Sequence, residues 1–399
     1  MSLISITIDG LEKLLHHSEV LIGTSEVTQV MEKMDPVGPI SDLFRIQHTP
    51  FGGRACFSNK SLPQGTVVLD AEDSLGESIS YEFRKEVCHY CLLYDHGKVM
   101  KYRLNASELE LTNEQFKGKR FQGAGLWFCS PQCRDEFLRQ DHILELISGY
   151  ESLLNGLLLC QKSGSDEDID EEKLNSISID QHMIEFQWQQ LDNEWIPRVQ
   201  KLKPSKKLAQ LPHMTDDVYC CARSICRSLF QLKYLDPDSV TNRSFQVLQS
   251  NELSKISRFP ILLSFQIAVY QTLYILLPPT LHNQLSIPKF RHILGAEYGN
   301  AFGIWQMGES VGDREYLGYW LLPRASFFNH SCDPNTDKVR KGRKMSFILN
   351  RDVPSGTQLC IAYNCDLTLP VGDRQQTMKD NWFFECMCDR CSSELQTIH

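Results

Sequence analysis

Seven cysteines in this 399-residue chain stand at the short spacings that suit a metal ion: Cys88-His89-Tyr90-Cys91, Cys129-Ser130-Pro131-Gln132-Cys133 and Cys386-Met387-Cys388-Asp389-Arg390-Cys391. Zn²⁺ takes four thiolate or imidazole ligands in a tetrahedron, and paired short knuckles meet that demand. The first two pairs lie in a stretch with little regular periodicity, and the second runs straight into a helical pattern. Together they predict one four-thiolate zinc site, with buried unliganded cysteines as the plain alternative. The third cluster offers three thiolates and needs a fourth; a detached knuckle at the terminus is the alternative there. A further stretch, Asn329-His330-Ser331-Cys332-Asp333-Pro334-Asn335, precedes the β-type run Gln358 to Ala362 and the tyrosine after it, Tyr363. Taken singly, an Asn and a His in a turn bond locally and a Tyr after a strand fills a core.

Fifteen cysteines are many for this length. Met1 to Val30 has no cationic start followed by a compact apolar run, so a reducing compartment, nucleus and/or cytoplasm, and metal-bound thiolates are expected rather than disulfides. Hydrophobic residues at 42% and charged residues at 23% fit a globular protein with real cores. The net charge of −9 disfavours nucleic acid, which requires a basic face, and is compatible with a basic, lysine-rich substrate. The longest apolar stretch, Ile261 to Leu277, is bounded by prolines and falls short of the roughly 20 residues of a membrane span. It predicts a buried helix, and no membrane association is expected.

The elements that must position these residues follow from pattern. Residues 1–42 predict one short helix (Leu11, Leu14, Leu15) ending at the breaker cluster Asp35 to Pro39. From Leu43 the pattern is strand, turn, strand, through Phe44 to Gln47, Cys56-Phe57 and Thr66 to Leu69. Phe137 to Leu158 predicts a helix, residues 163–172 an acidic solvated loop, and 181–295 a largely helical, apolar region. Short strands return at Ala301 to Gln306, Ser346 to Asn350 and Thr357 to Ala362, the last ending in Tyr363. The basic run Lys338 to Lys344 predicts a solvated hairpin turn. This order suggests one β domain interrupted by insertions.

Asn-His-Ser-Cys, a tyrosine after a strand and a Cys-x-Cys-x2-Cys tail, in this order, resemble the SET-domain methyltransferases. The upstream cysteine pairs narrow the resemblance to the SMYD family, in which a MYND zinc module interrupts the SET domain. The resemblance implies an α+β fold: a β-rich SET domain with a pseudoknot, an inserted MYND-like zinc module, a helical insertion and a Cys-rich post-SET tail. It divides the chain into an N-terminal extension (1–42), SET N-terminal part (43–84), zinc module (85–146), helical insertion (147–295), SET C-terminal part (296–366) and post-SET tail (367–399). A MYND module has two interleaved zinc sites; only the first and third cysteine pairs are present here. One zinc on Cys88, Cys91, Cys129 and Cys133 is therefore expected, with His89, His96 and His142 as bystanders. The family's helical domain beyond the tail is expected to be missing, as in a fungal-type member, leaving a more open peptide groove.

The resemblance further implies a protein-lysine N-methyltransferase that takes S-adenosyl-L-methionine, whose sulfonium methyl is displaced by a neutral lysine amine. Cys332 would complete the tail zinc with Cys386, Cys388 and Cys391. Tyr363 would be the catalytic residue, orienting amine and methyl. Gly53, Arg54, Asn300, Ser326, Phe328, Asn329, His330, Tyr363 and Phe384 would contact the cofactor, with Trp382, Phe383 and Phe384 as an aromatic lid. Ala55 replaces a glycine of the family's Gly-x-Gly loop; if that position needs positive φ, cofactor binding suffers. That departure and the lost second MYND site motivate the alternative, a non-catalytic zinc-stabilised interaction module. The expected partners are a protein substrate lysine and proteins bound through the zinc module, on a monomer.

Overall fold

Strands near the start and end of the chain pair with one another because each alone buries only one row of side chains. The computed structural model describes residues 37–49, 53–109, 121–163, 177–308 and 314–398. The helix expected within 1–42 and most of the acidic loop lie outside them.

In chain order the strands are β1 (Phe44–Thr49), β2 (Gly53–Ser58), β3 (Val67–Ala71), β4 (Glu77–Ile79), β5 (Tyr102–Arg103) and β6 (Trp127–Phe128). After a long helical region come β7 (Ala301–Trp305), β8 (Tyr316–Leu321), β9 (Asn329–His330), β10 (Thr336–Lys341), β11 (Lys344–Leu349) and β12 (Gln358–Ile361). They form sheets ordered β1-β2-β12-β9, β10-β11-β3, β4-β8-β7 and β5-β6. Each of the three larger sheets thus joins early strands to late ones. Strand β11 shows the cause: Met345, Phe347 and Leu349 alternate inward, and the row is covered only when β3 pairs with it.

The first sheet carries a crossing of early and late strands. Strand β12 lies antiparallel to β2 (Leu359↔Cys56) and parallel to β9 (Ile361↔His330), so the chain segments leaving β9 and β12 run side by side. Asn335 ties them: its Nδ2 donates to the Gln358 carbonyl at 2.8 Å and its Oδ1 accepts from the Cys360 N–H at 2.9 Å.

Between β6 and β7 the described residues are largely helical. The helix Asp216–Tyr234 is its axis, with Thr215 accepting from the Val218 N–H as N-cap and Asp216 and Asp217 in the first turn. It packs on β4 and on the helices Ile143–Ser163 and Ile261–Leu276. Close approach is set by Gly149 and Gly156: a Cβ there would lie 2.7 Å from Cys226 Sγ and 2.4 Å from Leu276 Cδ1. The helix Ile143–Lys162 is long and apolar enough to cross a membrane by length and composition, but 56% of that window is buried within the molecule, which accounts for its apolarity.

Four sequence expectations change. The helix expected from Phe137 to Leu158 is two, Pro131–Leu138 and Ile143–Ser163, broken where His142 takes φ +59°. Strand β8 was not anticipated; its near-continuous apolar run has no alternation to betray it. The basic run is mostly strand: Lys338 to Lys341 lie in β10 and Lys344 opens β11, leaving Gly342-Arg343 as the turn. The tail is a pair of helices, Val371–Trp382 and Asp389–Ile398, rather than irregular chain.

Arg343 is not solvated. Its guanidinium donates to both carboxylate oxygens of the buried Glu77, to Ser74 Oγ and to the Tyr90 carbonyl, so the hairpin turn is fixed to the cysteine module. Desolvation by burial works to raise the Glu77 carboxyl; the charges of Arg227 and Arg343 outweigh it and hold it at about 2, below the ordinary 4.5. A depressed carboxylate stabilises the fold above the unfolded value and loses that contribution as pH falls from 4.5 toward 2. Arg343→Leu, which leaves only Arg227 at 3.6 Å, should cost about 3 kcal/mol in urea unfolding at neutral pH. It should also flatten the loss of stability across the acid window; an unchanged acid profile would show that Glu77 does not depend on Arg343.

Candidate active site and its two thiolate clusters

The sulfur atoms of Cys88, Cys91, Cys129 and Cys133 lie within 4.8 Å of one another, and so do those of Cys332, Cys386, Cys388 and Cys391. No disulfide joins any of the fifteen cysteines, all of which lie among the described residues. Zinc–thiolate bonds of about 2.3 Å in a tetrahedron imply sulfur–sulfur separations of about 3.8 Å. The measured contacts are 3.7 Å for Cys91–Cys129, 3.5 Å for Cys129–Cys133, 3.9 Å for Cys332–Cys386 and 3.4 Å for Cys332–Cys391. Both donor sets therefore fit a tetrahedral zinc.

The three histidines stand apart from these clusters. His89 Nδ1 accepts from the Trp127 N–H at 3.2 Å, and burial lowers its ring to about 3, which keeps it neutral. His96 Nδ1 meets Gln306 Nε2 at 3.2 Å. His142 stacks on Tyr234 with ring centroids 4.1 Å apart.

The second cluster sits on the crossing of the first sheet. Cys332 follows β9 by two residues, and the tail helices bring its three partners. Arg390 Nη1 donates to the carbonyls of Cys332 and Leu367, both at 3.0 Å. The buried Arg374 reaches Cys391 Sγ at 3.7 Å and Glu394 at 2.7 Å. These two arginines supply positive charge beside a thiolate set that carries excess negative charge even with Zn²⁺ bound, the kind of outer contact that orients ligands. Sequence reasoning missed both, because nothing in the pattern separates them from surface arginines.

Tyr363 lies two residues beyond β12. Its N–H donates to His330 Nδ1 at 3.1 Å and its hydroxyl to the Phe328 carbonyl at 3.3 Å. Burial raises its phenol well above the ordinary value, so it remains protonated. His330, lowered to about 4 by burial, places its Nε2 3.3 Å from Cys332 Sγ and links the tyrosine backbone to the thiolates. Around the phenol stand Trp382 at 5.5 Å and Phe384 at 6.3 Å between ring centroids. Phe383, at φ +64°, ends the tail's first helix with its ring 5.8 Å from Lys255, and with Trp382 and Phe384 it lines the same cavity.

Two cavities flank Tyr363. One, of about 1280 Å³, is lined by Phe302, Trp305, Val339, Leu367 and their neighbours. The other, of about 1180 Å³, is lined by Gly53, Arg54, Asn329, His330, Phe384 and others. Gly299, Asn300, Ser326, Tyr363 and Trp382 line both. Eight of the nine expected cofactor contacts, all but Phe328, thus face the second cavity. The side chain of Phe328 is core, stacked on Phe347 at 4.5 Å and edge-on to Phe44 at 5.4 Å, and its carbonyl serves Tyr363 instead.

The concern over Ala55 is removed. Ala55 is fully buried in β2 opposite Gln47 with ordinary extended backbone, and the positive φ of +63° falls at Gly53, where a glycine stands. The second cavity also holds a donor in search of a partner: Arg54 gives Nη1 to the Val247 carbonyl at 3.1 Å while its buried Nε has none. A pocket of this size, lined by an arginine with an unpaired Nε, by Gly53 and by the aromatic Phe384, fits S-adenosyl-L-methionine with its carboxylate, amine and adenine.

A crossed β fold whose thiolate-bound tail walls a tyrosine pocket defines the class of SET domains. The chain belongs to the SET domain family, which matches residues 53–364. It is 52% identical over 367 residues, 91% of this chain and 98% of the relative, to the "Potential protein lysine methyltransferase SET6" of Saccharomyces cerevisiae. Similarity to proteins that carry the MYND name is partial. A "SET and MYND domain-containing protein" of Dictyostelium discoideum is 36% identical over 110 residues, 28% of this chain and 27% of that protein. The human "Histone-lysine N-methyltransferase SMYD3" is 34% identical over 82 residues, 21% of this chain and 19% of that protein.

Proposed function

We propose that this chain is an S-adenosyl-L-methionine-dependent protein-lysine N-methyltransferase in which each four-cysteine cluster holds one Zn²⁺. The observation that carries the reading is the meeting of two cavities at Tyr363, Asn300, Ser326 and Trp382. Reactants held on opposite sides can meet there without either displacing the other. The 52% identity to a potential protein lysine methyltransferase supports the same chemistry.

When bound, the cofactor supplies a methyl group on a positively charged sulfur. Gly53, Arg54, Asn300, Ser326, Asn329, His330 and Phe384 are the residues that would hold it. The protein's own work is positioning and desolvation. The half-buried Phe302 and Trp382 and the buried Ile361 present apolar surface, where a lysine ammonium loses hydration and the neutral amine is favoured. The Tyr363 phenol, kept protonated, donates its O–H hydrogen bond to the Phe328 carbonyl and leaves its oxygen lone pairs for the amine. Fixing amine and methyl donor in line is the main source of acceleration. The two four-cysteine clusters, which bind metal only as reduced thiolates, support residence in a reducing compartment, nucleus or cytoplasm.

Titration calorimetry with S-adenosyl-L-methionine tests the reading. Saturable binding near one cofactor per chain, and lysine methylation of protein extract with labelled cofactor, are expected; absence of binding to the zinc-loaded protein would remove the enzyme.

A further inference from the structure

The first cavity differs in charge from the chain as a whole. Among the described residues its charged lining side chains are Arg314, Lys338, Arg340 and Asp366: three cations and one carboxylate, in a protein whose net charge is −9. Lys338 and Arg340 stand two apart on β10 and so share one face of that strand. Lys338 is exposed and has no carboxylate partner among the described residues. Arg340 is fixed but not neutralised, because it donates to the carbonyls of Trp305 at 2.6 Å and Gly342 at 3.1 Å. Of the carboxylates nearby, Asp70 meets Lys344 and Ser346, Glu77 meets Arg343, and Asp337 accepts from Asn350. Asp366 spends its Oδ1 on the Thr368 N–H and hydroxyl. Beside the cations Met307 and Val339 leave apolar surface exposed.

The residues expected to hold the cofactor line the other cavity, and of them Asn300, Ser326 and Tyr363 border this one as well, which leaves the rest of it for the substrate chain. On that reading of Tyr363 as the transfer centre, we propose that the groove selects a lysine flanked by acidic residues. The charge complementarity is the argument: a lysine within an Asp- or Glu-bearing segment brings carboxylates to Lys338 and Arg340, whereas a basic tail would meet like charge. The same cations oppose entry of a protonated amine and so act with the apolar walls. This reverses the substrate expectation drawn from net charge alone, because the local field of the groove is opposite in sign to the total.

The test uses the full-length zinc-loaded protein with S-adenosylhomocysteine and fluorescent peptides that share one central lysine and differ only in their flanks, Glu, Gln or Arg. Anisotropy should give acidic-flanked peptides about tenfold tighter binding than basic-flanked ones, the gap shrinking as salt is raised. Lys338→Glu should narrow or invert the preference, and Lys338→Gln should narrow it less, both with unchanged zinc content and melting temperature. Equal binding by the wild-type protein, tighter binding of the Arg-flanked peptide, or a preference untouched by Lys338→Glu overturns the proposal. Binding and turnover separate the two readings. If no peptide is methylated yet acidic flanks bind best, the methyltransferase reading fails and the charge preference stands; if methylation proceeds equally well on all three, the reverse holds.

Discussion

Tyr363→Phe should lower methyl transfer by roughly 10²–10³-fold while leaving cofactor affinity within about threefold, as expected when one positioned hydrogen-bonding group is lost from a reacting centre. The phenol is anchored at both ends: its backbone N–H on His330 and its hydroxyl on the Phe328 carbonyl. Phenylalanine keeps the ring between Trp382 and Phe384, so the cavity wall survives and only the oxygen goes. The cost to stability is the net value of one hydrogen bond, about 1 kcal/mol. Because burial raises the phenol above its ordinary 10.0, it does not titrate in the working range. Any rise of rate with pH must then come from the substrate lysine, about 10.4 when free, whose neutral form reacts. Wild type and Tyr363→Phe should accordingly show the same rising limb at different heights. Single-turnover transfer to a lysine peptide and calorimetry with the cofactor make the measurement; a drop below threefold would take the tyrosine out of the transfer step.

The site was more legible than the scaffold. Metal ligands must be particular residue types at particular spacings, so both thiolate sets could be read before any coordinates, including the distant Cys332 once the resemblance placed it. Legibility ended where a role depends on three-dimensional surroundings. Phe328 reads like its neighbours in sequence, yet its side chain joins Phe347 and Phe44 while Ser326 and Asn329 face the cavity. The Ala55 concern misplaced the strained backbone by two residues, since positive φ falls on Gly53, the first residue of β2, and not on Ala55. Arg343 was hidden in a basic run that reads as solvated surface, because a buried counter-charge such as Glu77 lies far off in sequence. Asn335 was quoted within its motif without a role; the structure shows it bonding across the crossing in place of backbone. Tail helices of 12 and 10 residues were missed because neither has the length to declare itself.

That shortness leads to the other large expected effect. Cys332→Ser should reduce zinc from about two ions per chain to about one, detach the tail and abolish methyl transfer, because four ligands are needed for a closed structural site. Isolated helices of this length are marginal in water, and the small core they share (Val371, Met378 and the buried cysteines) is separate from the main one. Ion pairs such as Arg374 with Glu394 and Arg258 with Asp380 add little alone when one partner is substantially exposed. On the proposed reading the metal is what fastens Trp382 and Phe384 against Tyr363, in line with the large share of folding energy that structural zinc supplies in small modules, about 10–16 kcal/mol. Strand pairing of β9 with β12 does not involve the sulfur, so the rest of the fold should persist: limited proteolysis should cut near residues 365–370 and spare the helical region. Cys88→Ser should also release one zinc but keep the tail protected and retain more activity, since its cluster lies in the other module. Full zinc content or an intact, protease-resistant tail in Cys332→Ser would mean that Cys332 is not a ligand and that contacts other than metal hold the wall of the pocket.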